Sequence, residues 1–453
     1  MEFLLPSFVD DVLKKLNIEG FKAYIVGGSV RDLILGKTPS DYDITTSASP
    51  DEIQKVFSDY KTIDIGKKFG TIILILSEGN IEITTFREEG DYSDGRRPDR
   101  VEFSNDILID LSRRDFTINA MAYNNIDGLV DPYNGSEDLK HKIIRAVGDP
   151  KIRFKEDYLR ILRAVRFATQ LDLRLDESTY NACMELSSCI IDISPERVRE
   201  ELFKILLSPI PSKGILLMQE LKILDIILPE LLDAVGLDQK NPNHNRNLYD
   251  HILCVLDKTP PILEVRAAAL LHDIAKPRTF TVDEKGIGHF FGHDKIGAEM
   301  AKDILERLHC SNSFIDKVSK LVREHMHHPS MKEKGLKRQL RRVGEENIFD
   351  LILLKKADMK CKDDKKDINV IETRAERIKE ILKNNEPYNK SHLKIDGNDI
   401  IALGFPKGKI IGEILDYLLE KVLEHPEYNE KDKLIELVKG KYKIDNWQWT
   451  IDN

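Results

Sequence analysis

The sequence predicts an α+β fold in which a region of mixed strands and helices is followed by regions that are helical almost throughout. In the first 148 residues, short apolar segments are bounded by glycines and polar turns, which is typical of strands joined by tight connections. From Asp149 onward, apolar residues recur at helical spacing instead. With 453 residues, the chain is long enough for two to four domains.

The first region contains four predicted strands and one early helix. Lys22–Val26 is predicted as a strand that ends at a glycine pair, and Ser29–Leu35 as the helix that follows it. Asp41–Thr45 is predicted as the second strand. Thr71–Leu76 and Ile81–Phe86 are predicted to form a hairpin.

The later regions show helical patterns separated by one polar boundary. Glu156–Thr169 has apolar residues at helical spacing, and Ser194–Leu207 opens with a Ser-Pro-Glu start signal. The polar, proline-containing segment Asp238–Asn247 marks a boundary, and Val265–Leu271 is an apolar helix beyond it. The predicted domains are therefore 1–148, 149–237, 238–361 and 362–453.

Composition favours a soluble, cytoplasmic protein with no membrane partner. Charged residues make up 32% of the chain and hydrophobic residues 41%, and the apolar runs are far too short to cross a bilayer. The net charge of −9 argues against indiscriminate binding of nucleic acid, although Lys151–Arg166 is locally basic. The five cysteines include no CxxC pair and are predicted to be reduced thiols: Cys183, Cys189, Cys254, Cys310 and Cys361.

Two acidic residues downstream of the glycine pair suggest a metal site. On a strand, residues two apart point to the same face, so Asp41 and Asp43 would present two carboxylates side by side. Such a pair is costly without a cation, and Mg²⁺ prefers carboxylate oxygens together with phosphate oxygens. The pair Gly27-Gly28 opens a predicted helix, where backbone N–H groups can meet a triphosphate. A phosphate cradle and metal-holding carboxylates are the two requirements of nucleotidyl transfer.

Acidic pairs are common on protein surfaces without any function, so the spacing of the whole segment carries the prediction. The order GGxxRDxxxGxxxxDxD over residues 27–43 resembles the head of the class II tRNA nucleotidyltransferase and bacterial poly(A) polymerase family, within the DNA polymerase β superfamily. The resemblance implies a head with a mixed or antiparallel sheet, followed by an all-α neck, body and tail. It also implies that Asp41 and Asp43 hold two magnesium ions.

Further residues of the head follow from this resemblance. Gly28, Ser29 and Arg31 are implied to contact the incoming nucleotide. Some members of the superfamily use a third carboxylate on a neighbouring strand. Glu82 is the candidate for that position, and the alternative is that it is a surface acid.

The segment RRDFTINA at 113–120 is the second match to this family. Two basic residues before a helix start could be purely structural, but in the family this motif contacts the sugar and phosphates of the nucleotide. The resemblance therefore implies that Arg114, Asp115 and Asn119 recognise the ribose. A polar clamp on a 2′-hydroxyl rejects the deoxy analogue, because its buried partners would be left unpaired.

The segment EDYLR at 156–160 is the third match, and its chemistry follows from the bases. Cytosine and adenine present an amino donor beside a bare ring-nitrogen acceptor, whereas uracil and guanine present the reverse. Asp157 only accepts hydrogen bonds and Arg160 only donates them, so together they can select C and A. Three residues apart on a predicted helix, the two side chains would share a face. The structural alternative is a surface ion pair between them.

The loop Glu88–Arg100 resembles the flexible loop of family members that add the final A. It does not separate full CCA addition from A addition by one enzyme of a split pair, and a poly(A) polymerase is a further alternative. The predicted function is template-independent addition of C, C and A to the 3′ end of tRNA from CTP and ATP. The neck (149–237) and the C-terminal segment (362–453) would hold tRNA by its shape and phosphates.

A separate set of residues in the helical region resembles the HD superfamily of metal-dependent phosphohydrolases. The resemblance implies a helical HD domain that could bind a second divalent ion, Mn, Fe, Ni, Co or Zn, which activates water against a phosphoester. The four signature residues are His251, His272, Asp273 and Asp358, and two further candidate ligands are His293 and His325. The domain could instead be a scaffold, or it could be the principal activity beside a vestigial head.

Overall fold

The computed structural model describes residues 2–66, 70–90, 100–240, 246–327, 332–362 and 368–442. The chain divides into two compact units, Met1–Leu232 and Asp233–Asn453. The finer division into four domains stays a prediction. Among the described residues, no helix is long and apolar enough to cross a membrane.

The first unit is built on a seven-stranded mixed sheet, which confirms the predicted α+β class. The strands of this unit are β1 (Ala23–Val26), β2 (Asp43–Thr46), β3 (Lys61–Gly66), β4 (Thr71–Ile75), β5 (Asn80–Thr85), β6 (Arg87–Glu89), β7 (Val101–Phe103), β8 (Ala122–Asn124), β9 (Gly128–Val130), β10 (Ile143–Ile144) and β11 (Arg174–Leu175). The order in the large sheet is β3-β4-β5-β2-β1-β8-β9, with β2 parallel to β5 and the other neighbours antiparallel.

The helices of the first unit pack on this sheet and then continue beyond it. They are α1 (Ser7–Ile18), α2 (Gly28–Ile34), α3 (Pro50–Val56), α4 (Ile107–Ser112), α5 (Gly135–Lys140), α6 (Pro150–Glu156), α7 (Leu159–Leu171), α8 (Glu177–Leu186), α9 (Pro195–Leu206), α10 (Pro211–Glu220), α11 (Leu224–Ile227) and α12 (Pro229–Leu232). All four residues of the central strand β1 are buried. Tyr24 and Val26 of β1 form a core cluster with Ile107 and Leu111 of α4, so the middle of the sheet is held rigidly.

The prediction of one continuous helix over 156–169 is wrong. Helix α6 starts earlier, because Pro150 occupies its first position and Asp149 caps it by accepting from Lys151 N–H. It ends at Glu156, and Asp157 is extended (φ −153°, ψ 106°). The Asp157 carboxylate accepts the N–H of Leu159 at 3.0 Å, a local hydrogen bond that competes with a continuous helix and starts α7 instead.

The regular elements in the described residues of the second unit are helices and one short hairpin. Its elements are α13 (Leu248–Lys258), α14 (Leu263–Leu271), α15 (Lys276–Thr279), β12 (Phe280–Val282), β13 (Gly288–Phe290), α16 (His293–Arg307), α17 (Asn312–Glu324), α18 (Glu333–Val343), α19 (Glu345–Lys360), α20 (Ile368–Lys383), α21 (Gly397–Ala402), α22 (Lys409–Glu424) and α23 (Lys431–Lys441). Helices α13, α14, α17 and α19 pack against one another and carry a buried polar cluster. A separate apolar core joins α21, α22 and α23.

The prediction that every cysteine is a reduced thiol is wrong for one pair. Cys254 on α13 and Cys361 at the end of α19 form a disulfide across 107 residues of sequence. Cys183, Cys189 and Cys310 are not disulfide-bonded within the described residues. The sequence carries no sign of this pairing, because only the packing of α13 against α19 brings the two cysteines together.

Candidate functional site

A cavity of about 580 Å³ in the first unit collects the predicted site residues. All ten residues predicted for catalysis or nucleotide binding line it: Gly28, Ser29, Arg31, Asp41, Asp43, Arg114, Asp115, Asn119, Asp157 and Arg160. They come from α2, from the start of β2, from the segment 114–119 after α4 and from residues 157–160, which together span more than a hundred residues of sequence. A nucleoside triphosphate is of a size that such a cleft can accommodate.

The two carboxylates both face the cavity, although the strand begins two residues later than predicted. Asp43 begins β2 and Asp41 precedes the strand, and both line the cavity while Tyr42 between them is 8% exposed. Burial, followed by the charges of Glu82 and Asp41, raises the pKa of Asp43 to about 6. A cation between the carboxylates would relieve this repulsion, so the residues fit a magnesium site.

Glu82 lies directly across from Asp43, on the neighbouring parallel strand β5. Its charge is one of the causes that raise the pKa of Asp43, so the two carboxylates are close enough to interact. This position is compatible with a third metal-binding carboxylate, and that role stays a prediction.

The glycine pair Gly27-Gly28 and the residues that follow it, Ser29 and Arg31, line one side of the cavity. Gly27 has a φ of +74°, which side chains disfavour, and a Cβ there would lie 2.9 Å from the Arg114 guanidinium. Ser29 is buried and donates its hydroxyl hydrogen to the Val26 carbonyl at 3.1 Å. Arg31 donates to the Asn119 side-chain oxygen at 2.9 Å. The positive φ therefore favours glycine at position 27, and a larger residue there would also displace the end of the Arg114 side chain.

Asp115 has each of its oxygens bonded within the protein. One accepts the Phe116 N–H at 2.8 Å and the Asn119 amide at 3.1 Å, and the other accepts the Arg163 guanidinium at 2.7 Å. Burial alone would raise the pKa of Asp115, but Arg163 and Asn119 outweigh it and hold the pKa at about 2. The carboxylate is thus ionised, and it positions Asn119 and Arg163 at the cavity.

Asp157 and Arg160 both line the cavity, but the arrangement that brings them there differs from the predicted one. They do not share one helix, because the chain breaks at Asp157. Asp157 accepts a hydrogen bond from Arg197 of α9 at 2.6 Å, and Arg160 pairs with Glu156. Arg160 also donates to the carbonyl of Arg153 at 2.9 Å. Each side chain is therefore oriented by a partner of its own, and the simple ion pair between Asp157 and Arg160 is not the arrangement found.

Besides Arg113 and Leu159, which lie within the matched motifs, four lining residues were missed by the sequence analysis. Arg163, Arg166 and Phe167 follow Arg160 on α7, and Arg197 comes from α9. The Arg166 guanidinium lies 3.9 Å from the centre of the Phe167 ring. The arginines at 160, 163 and 166 were the available signal for α7, since residues three apart share a helix face.

A buried carboxylate beneath the cavity also escaped prediction. Asp110 of α4 is fully buried and pairs with Arg113 at 2.7 Å and with Arg114 at 3.3 Å. A buried charge of this kind is tolerated only because it is paired. Asp110 therefore fixes Arg114 where it packs against Gly27.

The second unit contains a cluster of histidines and carboxylates near residue 273. All six predicted ligands belong to it, and each is at most 4% exposed: His251, His272, Asp273, His293, His325 and Asp358. One oxygen of Asp273 lies 3.6 Å from His251 Nε2 and 3.2 Å from His272 Nε2. The other lies 3.4 Å from His293 Nε2 and 3.5 Å from His325 Nε2.

Three of these histidines are held in the same tautomer by the backbone. Nδ1 of His272, His293 and His325 lies 2.8, 2.6 and 2.6 Å from the carbonyl oxygen three residues earlier. A carbonyl only accepts, so Nδ1 carries the hydrogen and Nε2 presents a lone pair to the carboxylates. Burial lowers the pKa of His325 to about 4, which keeps it neutral near pH 7. Neutral lone pairs facing carboxylate oxygens are repulsive unless a cation lies between them, so these residues fit a divalent metal.

Both units match families of known proteins. Residues 23–145 match the family described as "Poly A polymerase head domain" and residues 172–235 match "Probable RNA and SrmB- binding site of polymerase A". Residues 279–438 match tRNA nucleotidyltransferase domain 2. The CCA-adding enzyme of Ligilactobacillus salivarius (strain UCC118) is 34% identical over 431 residues, which cover 94% of this chain and 95% of that enzyme. This chain belongs to the CCA-adding enzyme family.

Other family members are similar over different lengths. The CCA-adding enzyme of Geobacillus sp. (strain WCH70) is 41% identical over 254 residues, so the match spans 54% of this chain and 62% of that enzyme. The crystal structure of the Bacillus stearothermophilus CCA-adding enzyme in complex with CTP covers 97% of this chain and 99% of its own, with 28% identity and a TM-score of 0.74. The Thermotoga maritima CCA-adding enzyme complexed with tRNA, at 24% identity and a TM-score of 0.57, shares the fold.

One prediction, the role of the loop Glu88–Arg100, falls largely on residues outside the described ones. The loop Glu88–Arg100 was predicted to resemble the loop of members that add the final A. Residues 91–99 of that loop lie outside the described residues, so the interpretation stays a prediction. The ten residues predicted for the head do meet in one cavity, and their individual roles are proposals developed below.

Proposed function

We propose that this chain adds C, C and then A to the 3′ end of tRNA in the cytoplasm, using CTP and ATP and releasing diphosphate. The observation that carries the proposal is the single cavity that joins the carboxylates Asp41 and Asp43 to the side chains Asp157 and Arg160. The first pair suits metal-dependent phosphoryl chemistry, and the second suits recognition of a base edge. A member of the CCA-adding family needs both in the same place.

Asp41 and Asp43 would hold magnesium, which supplies charge stabilisation at the α-phosphate and at the leaving diphosphate. The remaining work belongs to the arginines of the cavity. Seven of them line it among the described residues: Arg31, Arg113, Arg114, Arg160, Arg163, Arg166 and Arg197. Several are already paired with acids, so the triphosphate meets guanidinium groups that are oriented before it binds.

Base selection follows from hydrogen-bond polarity. Asp157 accepts the exocyclic amino hydrogen that cytosine and adenine share, and Arg160 donates to their ring nitrogen. Uracil and guanine would place a carbonyl against a carboxylate and a ring N–H against a guanidinium. Because Arg197 and Glu156 already orient the two side chains, little ordering is needed when the nucleotide binds.

Three tRNA substrates test the proposal directly. They end before the first C, before the second C and before the terminal A, and each is supplied with one nucleotide at a time and Mg²⁺. The expected result is incorporation of CTP on the first two and of ATP on the third, with no use of UTP or GTP. Incorporation of ATP alone, and only on the third substrate, would replace the proposal with A addition by one enzyme of a split pair. Long A tails on any RNA would indicate a poly(A) polymerase.

Arg197 should act as a positioning residue for Asp157. Arg197→Ala is expected to lower kcat/KM for both CTP and ATP about tenfold, since a hydrogen bond to a charged group contributes about 1.5–3 kcal/mol. Arg197→Lys should recover part of the loss and part of the discrimination against UTP. Steady-state kinetics with each nucleotide would measure this. Arg199→Ala on the same helix is the control, and equal losses in both alanine variants would contradict the positioning role.

A second activity is supported by the histidine–carboxylate cluster of the second unit. We propose that it binds a divalent metal and hydrolyses a phosphoester. A metal held there would lower the pKa of a bound water, which is the chemistry that hydrolysis requires. Lys276 lies 2.7 Å from Asp273 and Lys362 lies 2.7 Å from Asp358, and both line a cavity of about 230 Å³ beside the cluster. Two cations at its wall suit an anionic phosphoester.

Asp273→Asn should abolish metal binding in the second unit, because both sets of ligand atoms in the cluster include Asp273. An amide is a far weaker ligand for Mn²⁺ than a carboxylate. We expect the wild-type protein to retain bound Mn²⁺ at this cluster after dialysis and the variant to lose it, as measured by elemental analysis. The exposed Asp303→Asn is the control. Equal metal content in the variant and the wild type would contradict the assignment.

A further inference from the structure

The disulfide lies one helical turn from two of the cluster's candidate ligands. On α13, Cys254 follows His251 by three residues, and at the end of α19, Cys361 follows Asp358 by three. Residues three apart share a helix face, so the disulfide and the ligands lie along the same seam between the two helices. His251 Nε2 and Asp358 Oδ1 are 3.3 Å apart across that seam. The covalent link therefore holds the two helices together beside the point where they supply ligands.

We propose that Cys254 and Cys361 form a thiol–disulfide pair whose oxidation raises the affinity of the histidine–carboxylate cluster for a divalent metal. This inference rests on the metal site proposed above. The ligand atoms converge in the disulfide-bonded state, in which Asp273 is within 3.6 Å of four histidine nitrogens. Without the link, α13 and the end of α19 are joined by noncovalent contacts alone, such as the contact between His251 and Asp358. A preorganised site binds more tightly because less ordering accompanies binding.

The two cysteines differ in exposure, and this difference determines which of them reacts first. Cys361 is 2% exposed, whereas Cys254 is partly exposed. Arg246 donates to the Cys361 carbonyl at 2.7 Å and holds the end of α19 in place. Attack on an external disulfide requires access, so Cys254 is the cysteine that reacts first. Cys183, Cys189 and Cys310 form no disulfide within the described residues.

The oxidation balances with a low-molecular-weight disulfide such as glutathione disulfide as the oxidant. The Cys254 thiolate attacks one sulfur, the S–S bond of glutathione disulfide breaks, and glutathione thiolate leaves. Cys361, as its thiolate, then attacks the Cys254 sulfur of the mixed disulfide and expels the second glutathione. Two electrons pass from the cysteine pair to glutathione disulfide, and the protons of both cysteines end on the two glutathione thiols. Excess reduced glutathione reverses both steps.

The test compares oxidised and reduced forms of the full-length protein. Metal is first removed with a chelator, and the protein is equilibrated in oxidised or reduced glutathione. The state of the pair is read from the intact mass after alkylation, which adds two more groups to the reduced form. Mn²⁺ binding is then measured by equilibrium dialysis and elemental analysis. Mn²⁺ is chosen because thiolates bind it poorly, so the freed cysteines do not compete as ligands.

The expected result is about tenfold weaker Mn²⁺ binding in the reduced form, the size of effect that residues supporting metal ligands commonly have. Cys254→Ser and Cys361→Ser should both bind as weakly as the reduced wild type and lose the dependence on redox state. Cys310→Ser should retain it. Equal affinities in the two forms of the wild type would overturn the inference while leaving the metal site intact. A pair that stays reduced in excess glutathione disulfide would also overturn it, and absence of Mn²⁺ binding in both forms would overturn the inference and the metal site together.

Discussion

Asp43→Asn is expected to reduce the rate of nucleotide addition at least about 10³-fold, because a metal ion contributes several kcal/mol of charge stabilisation and each 1.4 kcal/mol is tenfold in rate. The change removes one negative charge and leaves the size of the side chain nearly the same. Asparagine lacks the anionic oxygen that Mg²⁺ prefers. Burial, followed by the charges of Glu82 and Asp41, raises the pKa of Asp43 to about 6, and a neutral amide avoids both costs, so the variant should fold at least as stably as the wild type.

Single-turnover addition of CTP to tRNA lacking CCA would measure this effect. Asp59→Asn changes an exposed carboxylate, which is 87% exposed and not among the cavity-lining residues, and should leave the rate unchanged. Thermal unfolding of both variants separates loss of chemistry from loss of fold. If Asp43→Asn kept a tenth of the wild-type rate, Asp43 could not be the metal-binding carboxylate. Glu82→Gln in the same assay would show whether the third carboxylate contributes.

Asp157→Ala is expected to reduce the preference for CTP over UTP about 100-fold, since a charged hydrogen-bond partner contributes up to about 3 kcal/mol. Asp157 affects the binding of both the correct base and the incorrect one. It accepts from the amino group of the correct base, and it repels the carbonyl that uracil places at the same point. Its removal should therefore lower kcat/KM for CTP and also relax the exclusion of UTP.

Competition between CTP and UTP on tRNA lacking CCA gives the ratio directly. Asp225→Ala removes an exposed carboxylate of α11 in the same unit and serves as the control. The comparison with Arg197→Ala is informative, because that variant keeps the Asp157 carboxylate and removes only the hydrogen bond that orients it. Asp157→Ala should lose more discrimination than Arg197→Ala. Unchanged discrimination against UTP in Asp157→Ala would refute the assignment of base selection to this residue.

The sequence by itself determined the features that depend on local spacing. Asp41 and Asp43 were predicted side by side on one strand, and both line the cavity although Asp41 lies just before β2. The hairpin of β4 and β5 and the helix after the glycine pair were predicted within one residue of their bounds. These features are local, because strand alternation and helix starts depend on neighbouring residues. The ordered motifs were also sufficient to indicate the family.

Only the tertiary structure decided which side chains orient the site. Asp157 and Arg160 were predicted on one helix, but the capping hydrogen bond to Leu159 breaks it, and Arg197 and Glu156 orient the pair instead. Arg197 lies forty residues from Asp157 in sequence, so no local pattern could show the contact.

The second unit shows the same contrast between features set by local sequence and features set by long-range packing. The order of histidines and aspartates predicted a metal cluster, and the packing of α13, α14, α16, α17 and α19 brought the six candidate ligands between residues 251 and 358 together. That packing also joined Cys254 to Cys361, against the prediction of reduced thiols. Periodicity in sequence reports which face of an element is apolar. Which elements then meet, and which polar groups they bury against each other, is set by long-range packing that local spacing does not encode.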